Sequence, residues 1–173
     1  RYGLVGSEMC IRDRNYYVWF VHIYINNKFI SYNNYKAKCA VGKRGISIKK
    51  KEGDFITPKG TFKIKEIFYR KDRVENLITR LKKTVIRKNM GWCDDPKSNN
   101  YNKLIYYPFK YSAEKLYRRE NIYDILLVLN FNMNPIRKNK GSAIFIHVAK
   151  KNLQPTQGSV SYTHLTLPTT SSV

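Results

Sequence analysis

The sequence predicts a mainly β protein with one or two short helices. Three observations carry this expectation: aromatic and β-branched runs that end in turn residues, a dense Asp/Pro/Gly segment near residues 53–60, and only one stretch with helical spacing. No apolar run reaches membrane-spanning length.

Tyr16 to Ile25 (YYVWFVHIYI) reads as a strand. Asn26-Asn27 then supplies a turn, Lys28 to Tyr32 a second strand, and Tyr35 to Val41 a third before the Gly42–Gly45 loop. His22, inside the first strand, reads as a structural core or edge histidine. Lys50-Lys51-Glu52-Gly53-Asp54 leading into Thr57-Pro58-Lys59-Gly60-Thr61-Phe62 demands a tight turn, and Phe62, Ile64, Ile67 and Tyr69 continue as a strand. From Asp72 to Lys83 the spacing of Val74, Leu77, Ile78 and Leu81 predicts a helix. A strand around Thr84–Ile86 follows. Met90 to about Pro108 reads as a long polar, aromatic loop, and long loops in compact domains are often functional. Ala113 to Arg119 reads as a helical turn. Tyr123 to Asn130 (YDILLVLN) is a strongly apolar strand expected at the centre of a sheet, and Ala143 to Val148 is a further strand that presents His147.

The two ends read differently from the body. Leu4 to Asp13 (LVGSEMCIRD) resembles a translated transposase-type sequencing adapter, and Val160 to Thr169 (VSYTHLTLPT) resembles the opposite-strand adapter. The expected organisation is therefore scar (1–14), one domain (15–159) and scar (160–173), and such scars are set aside before fold reasoning. In the adapter's frame only the first base of codon 159 is native, and it must be T for a serine written TCT. Cysteine codons also begin with T.

The chain carries 33 Lys+Arg against 12 Asp+Glu, a net charge of +21. The body keeps +20, because residues 1–14 hold three arginines against Glu8 and Asp13 and residues 160–173 hold no charge. That charge attracts polyanions of any kind: nucleic acid, anionic membrane or acidic cell-wall polymer. The lysines are scattered, however, and the body is rich in Lys, Asn, Ile and Tyr, whose codons are AT-rich, so genome composition accounts for much of the excess. With Cys10 in the scar, Cys39 and Cys93 remain. They have no metal-site spacing and read as small buried hydrophobes.

Two groups of residues share a pattern with a known family. One is Lys51-Glu52-Gly53-Asp54 with Thr57-Pro58-Lys59-Gly60-Thr61-Phe62. The other is Gly141-Ser142-Ala143-Ile144-Phe145-Ile146-His147 followed by Thr156-Gln157-Gly158-Ser159. Together with Phe68–Arg73 and Gly91–Pro96 they resemble the L,D-transpeptidase (YkuD-type) catalytic domain over nearly all of the body. The resemblance implies a sandwich or barrel-like β fold and acyl transfer on peptidoglycan stem tetrapeptides. The bond after the third residue is cut, D-alanine leaves, and the acyl group passes to another stem as a 3→3 cross-link or to water. It implies His147 as general base, Gly158 as the residue that admits the acyl group, and position 159 as the nucleophile, with no cofactor and no metal. The family has cysteine at that position, so Ser159 implies an inactive copy. Gln157 stands where many members carry a second histidine. Thr156 is a substrate or base contact, or an ordinary turn threonine.

Trp92, Asp94 and Asp95 are candidates for a substrate rim, an aromatic face with carboxylates for the ammonium of a diamino acid. The alternative is that Trp92 is core and the Asp pair caps a turn. Tyr69 and Arg70 are weaker substrate-binding candidates. Peptidoglycan stem peptides are the expected partners, with a monomer outside the cytoplasmic membrane and no nucleic acid. The competing reading, a basic nucleic-acid- or cell-wall-binding module without catalysis, rests on charge and aromatic content. It leaves the Glu52–Phe62 and His147–Gly158 segments unexplained.

Overall fold

A computed structural model describes residues 3–5, 22–150 and 152–163 of the chain. The first part of the Tyr16–Ile25 run, Cys10 and His164 lie outside the described residues. Fourteen strands follow in chain order: β1 (Gly3–Val5), β2 (His22–Ile25), β3 (Phe29–Tyr32), β4 (Tyr35–Ala40), β5 (Ile46–Ser47), β6 (Thr57–Pro58), β7 (Ile64–Tyr69), β8 (Lys83–Val85), β9 (Met90–Cys93), β10 (Leu104–Tyr106), β11 (Ala113–Lys115), β12 (Ile125–Leu129), β13 (Phe145–Val148) and β14 (Val160–Tyr162). The helical content among the described residues is one 3₁₀ turn, Asn121–Tyr123. The mainly β expectation holds.

Nine strands form one sheet in the order β1-β2-β3-β4-β14-β13-β12-β7-β8. A three-stranded sheet runs β10-β9-β11, and β5 pairs with β6. The strand expected at the centre is β12, held between β13 and β7. Side chains alternate across a strand, and here both faces are covered. Leu127 and Leu129 join Ile67, Ile146, Val160 and Tyr162 in one apolar layer. Leu126 and Val128 join Phe68, Trp92, Tyr123 and Phe145 in the other. Continuous apolar runs such as Ile125–Leu129 are what a doubly covered strand requires.

The residues read as the second scar enter the sheet at once. Val160–Tyr162 pairs parallel with β13 and antiparallel with β4. Val160 and Tyr162 are 1% and 6% exposed. Their apolar–polar–apolar alternation suits a strand slot, whatever DNA encoded it. Cys39 and Cys93 are both free and buried, as their spacing implied.

Three local expectations are corrected. Asp72–Lys83 is not a helix but one turn followed by irregular chain that runs into β8, the turn closed by Arg73 and Val74 N–H groups donating to the Arg70 carbonyl. Leu77 and Leu81 rest on the sheet's apolar layer, while Ile78 is 80% exposed, so the four apolar residues share no face. A lone twelve-residue segment gains little from helical spacing without a face to bury. The Met90–Pro108 stretch is not one loop: it contains β9 and β10. All four residues of β9 are buried, which removes the alternation that marks a strand. Finally, Ala113–Arg119 begins as β11, paired with β9 through Ala113–Cys93 and Glu114–Trp92.

Candidate active site

Strand parity places the site. In the parallel β13–β14 pair His147 lies opposite Ser161, so residues 147 and 161 face the same side, the side of Phe145 and Trp92, and the Gly158–Ser159 turn leads directly into β14. There a cavity of about 450 Å³ opens, and His147, Thr156, Gly158, Ser159 and Asp94 all line it.

His147 is 8% exposed and packs edge-on against Tyr123, with ring centroids 5.3 Å apart. Its Nδ1 lies 2.8 Å from the Val148 carbonyl oxygen. Burial pushes the imidazole down to about 4; Arg118 adds to this, while the Val148 and Ile122 carbonyls oppose it. At neutral pH the ring is therefore uncharged and able to accept a proton.

The Gly158–Ser159 turn is held from several directions. Gly158 has φ +152, and a Cβ there would stand 3.2 Å from the Ile56 carbonyl oxygen. The Thr57 hydroxyl donates to the Gly158 carbonyl at 2.7 Å and accepts from Gly42 N–H at 2.8 Å. This ties the Thr57-Pro58 motif to the turn across 101 residues of chain. Thr156 acts from inside the turn: its hydroxyl accepts from Gly158 N–H at 3.2 Å and donates to the Ser159 carbonyl. The Ser159 hydroxyl is occupied by main chain. It donates to the Ala143 carbonyl at 3.0 Å and accepts from Phe145 N–H at 3.1 Å.

Other expected residues stand apart from the cavity lining. Trp92 is 6% exposed, edge-on to Phe68 and Phe145, with Nε1 donating to Asn102 Oδ1 at 3.0 Å, which is the core alternative. Asp95 caps its own turn by accepting from Lys97 N–H at 2.9 Å. Arg70, 3% exposed, grips Asp72 through two hydrogen bonds, donates to the Arg118 carbonyl at 2.7 Å and stacks on Tyr117. Tyr69 lies half-buried at the end of β7, opposite Ile125. Only Asp94 of this group reaches the cavity, and its Oδ1 is buried with no hydrogen-bond partner.

The sequence reading missed the groups that complete the wall. Glu114 accepts from the Tyr123 hydroxyl and from Arg118 Nη2, the latter at 3.1 Å. Burial raises the Glu114 carboxyl, with Asp94 adding to the effect and Tyr123 and Arg118 opposing it. Glu52 accepts from Ser142 Oγ at 2.7 Å and from the Tyr101 hydroxyl, which fastens the Glu52–Asp54 turn to the strand-entry loop before β13. Lys49 also lines the cavity. The available signal was the Glu52–Asp54 motif itself and the four-residue spacing of Glu114 and Arg118. Neither says which way a side chain points. Among the described residues no group of three or more His, Cys, Asp or Glu side chains is placed to hold a metal ion.

A neutral buried histidine beside a braced glycine turn, in a cavity with charged walls, can run acyl transfer if residue 159 supplies a competent nucleophile. Comparison with known proteins agrees with the type of domain. No curated protein and no solved structure matches the chain. The family model of the L,D-transpeptidase catalytic domain (YkuD) matches residues 7–164. The chain belongs to the L,D-transpeptidase catalytic-domain family.

Proposed function

We propose that this domain is built for peptidoglycan L,D-transpeptidase chemistry at position 159, that the parent sequence has cysteine there, and that Ser159 leaves this chain inactive. The observation that carries the reading is the sharing of one cavity by His147, on β13, and the Gly158–Ser159 turn that leads into its parallel partner β14.

In the proposed reaction the residue-159 thiolate attacks the carbonyl carbon of the stem's third residue. The new S–C bond replaces the C–N bond to D-alanine, and His147 hands the proton it took from the thiol to the leaving amine. An acceptor amine, or water, then displaces the sulfur and restores the thiol. Asp94, with its unpaired buried oxygen, is the group best suited to meet a cationic part of the stem. Thr156 positions the turn. Trp92, Asp95, Tyr69 and Arg70 support the wall from outside it.

Serine fits this chemistry poorly. A hydroxyl is far harder to ionise than a thiol, and both hydrogen-bonding roles of this one are taken by Ala143 and Phe145. We place the activity outside the cytoplasmic membrane because its substrate lies there, and assign residues 1–14 and 160–173 to adapter-derived DNA. No helix among the described residues is long and apolar enough to cross a membrane.

The test is mass spectrometry of the chain and its S159C variant after exposure to a stem tetrapeptide or a carbapenem. The expected result is an acyl adduct at residue 159 of the variant and none on the unaltered chain. An adduct on Ser159 itself overturns the inactivity, and a folded S159C protein that neither acylates nor releases D-alanine overturns the reaction.

A further inference from the structure

Lys49 is buried where packing alone gives no reason for a charge. Its side chain is 2% exposed and that of its ion partner Asp54 is 3% exposed. Lys49 Nζ donates to Asp54 Oδ1 at 2.6 Å and to the Ile56 carbonyl at 3.3 Å. Asp54 also accepts main-chain N–H groups from Lys50, Lys51 and Ile56. Burial pushes the Asp54 carboxyl up, but Lys49 and these three N–H groups more than offset it and hold the carboxyl well below the usual carboxylate range. A buried ion pair is on average no more stabilising than an apolar pair of the same volume.

Position supplies the reason. The Lys49 stem crosses Gly141, where a Cβ would fall 2.3 Å from Cε, and Nζ lies 3.6 Å from the place a Cβ would take on Gly158. The bare Gly158 thus lets the ammonium approach the residue directly before position 159, and Lys49 lines the same cavity as Ser159 and His147. An ammonium has three N–H donors, and Asp54 and the Ile56 carbonyl account for two.

We propose that Lys49 is a positioning residue for the acyl-transfer centre: a cation fixed behind Gly158 that favours the anionic form of the nucleophile at position 159. The inference rests on the acyl-transfer reading above. When the side chain at 159 loses its proton, the new charge forms in the same cavity as, and one residue beyond the glycine approached by, a cation that Asp54 and the Ile56 carbonyl have already fixed in place, so little reorganisation is needed. The other charged groups around the cavity are Lys43, Glu52, Asp94, Glu114, Arg118 and Lys150, beside the neutral His147 ring. They act on position 159 as well, and they stay constant in the comparison below.

The experiment uses the full chain as S159C, S159C/K49M and S159C/D54N. The rate of alkylation by iodoacetamide is followed against pH, and peptide mapping separates the residue-159 adduct from Cys10, Cys39 and Cys93. K49M is expected to move the half-rate pH up by roughly one unit. D54N, which frees the ammonium from its counter-charge, is expected to move it down. A merely structural brace shifts both variants the same way or neither, and that result overturns the proposal. Should K49M fail to fold by circular dichroism, D54N decides alone: a downward shift supports the role, and an unchanged or upward midpoint ends it. Iodoacetamide needs no peptidoglycan recognition. Opposite shifts without tetrapeptide turnover therefore remove the transpeptidase reading only, and turnover without shifts removes the Lys49 role only.

Discussion

Asp94 lines the cavity and Asp54 lies buried behind it, paired with the lining residue Lys49, and the two carboxylates are finished to different degrees. Asp54 is bonded to an ammonium and three main-chain N–H groups, so both of its oxygens are used. Asp94 leaves Oδ1 buried and unpartnered, beside a Glu114 carboxyl that it helps to raise. Native interiors satisfy nearly all buried polar groups, and exceptions gather where a ligand is to be bound or chemistry done. The Asp54 side is a completed brace within the Lys49–Ile56 segment. The Asp94 side keeps one buried oxygen without a partner.

The largest effect expected from breaking this contrast is at Asp54. D54A strands the Lys49 ammonium in a nearly dry site and removes an acceptor from three N–H groups, a loss of about 3–5 kcal/mol. Chemical denaturation should show it as a lower midpoint with an unchanged slope. A cost near that of an exposed ion pair removes the idea of a completed brace.

His147 gives the next effect, through pH. Its folded value of about 4 lies below the 6.5 of an unperturbed histidine. The folded state therefore resists protonation while the unfolded chain accepts it. The contribution is fully present above pH 6.5 and is lost as pH falls from there toward 4, about 3 kcal/mol in all at one pKa unit per 1.36 kcal/mol. Asp54, whose folded value is also depressed, adds its own loss at lower pH still. Stability curves of the chain and H147Q, measured between pH 7 and 4, should converge as the acid limit is approached. Parallel curves mean that the ring is not held neutral by burial.

The link between the brace and the turn is Thr57. T57V keeps the shape but leaves Gly158 O and Gly42 N–H without the hydroxyl that joins them. The expected cost is about 2 kcal/mol. In the S159C background the acylation rate should fall further than that stability loss explains, because the turn loses its anchor. Loss of stability with normal acylation would make Thr57 a core hydrogen bond and nothing more.

How much of this was legible in the sequence depends on what each residue answers to. Ile125–Leu129 was readable because two apolar layers impose an unbroken apolar run on it, and Phe145–Val148 because the same layers leave only His147 polar in it. His147, Thr156, Gly158 and Ser159 were readable because they lie in short ordered motifs. Strands β9 and β11 were not: three- and four-residue strands carry too little pattern, and β9 is buried on both faces. The helix expected at Asp72–Lys83 failed because spacing was present without a shared face, as the exposed Ile78 shows. Trp92 and Arg70 carried the right chemistry for a rim and spend it elsewhere, in the Phe68–Phe145 packing and on Asp72. Lys49 was hidden in a lysine-rich chain, where nothing separates one buried lysine from its solvated neighbours until the coordinates place its nitrogen behind Gly158.

The smallest effect on stability is the most informative about the Asp94 side. D94N keeps the shape of Asp94 and removes a negative charge that has a buried, unpaired oxygen and a neighbouring Glu114 carboxyl. Oδ1 has no hydrogen bond to lose, so the variant should be as stable as the parent or more stable by about 1 kcal/mol, the reverse in sign of the Asp54 change. The same variant of S159C should bind a stem tetrapeptide with a free ammonium more weakly, seen as a raised KM with kcat little changed, because the carboxylate meets the substrate in ground and transition states alike. A stability loss comparable to that at Asp54, with KM untouched, would mean that Asp94 is structural after all.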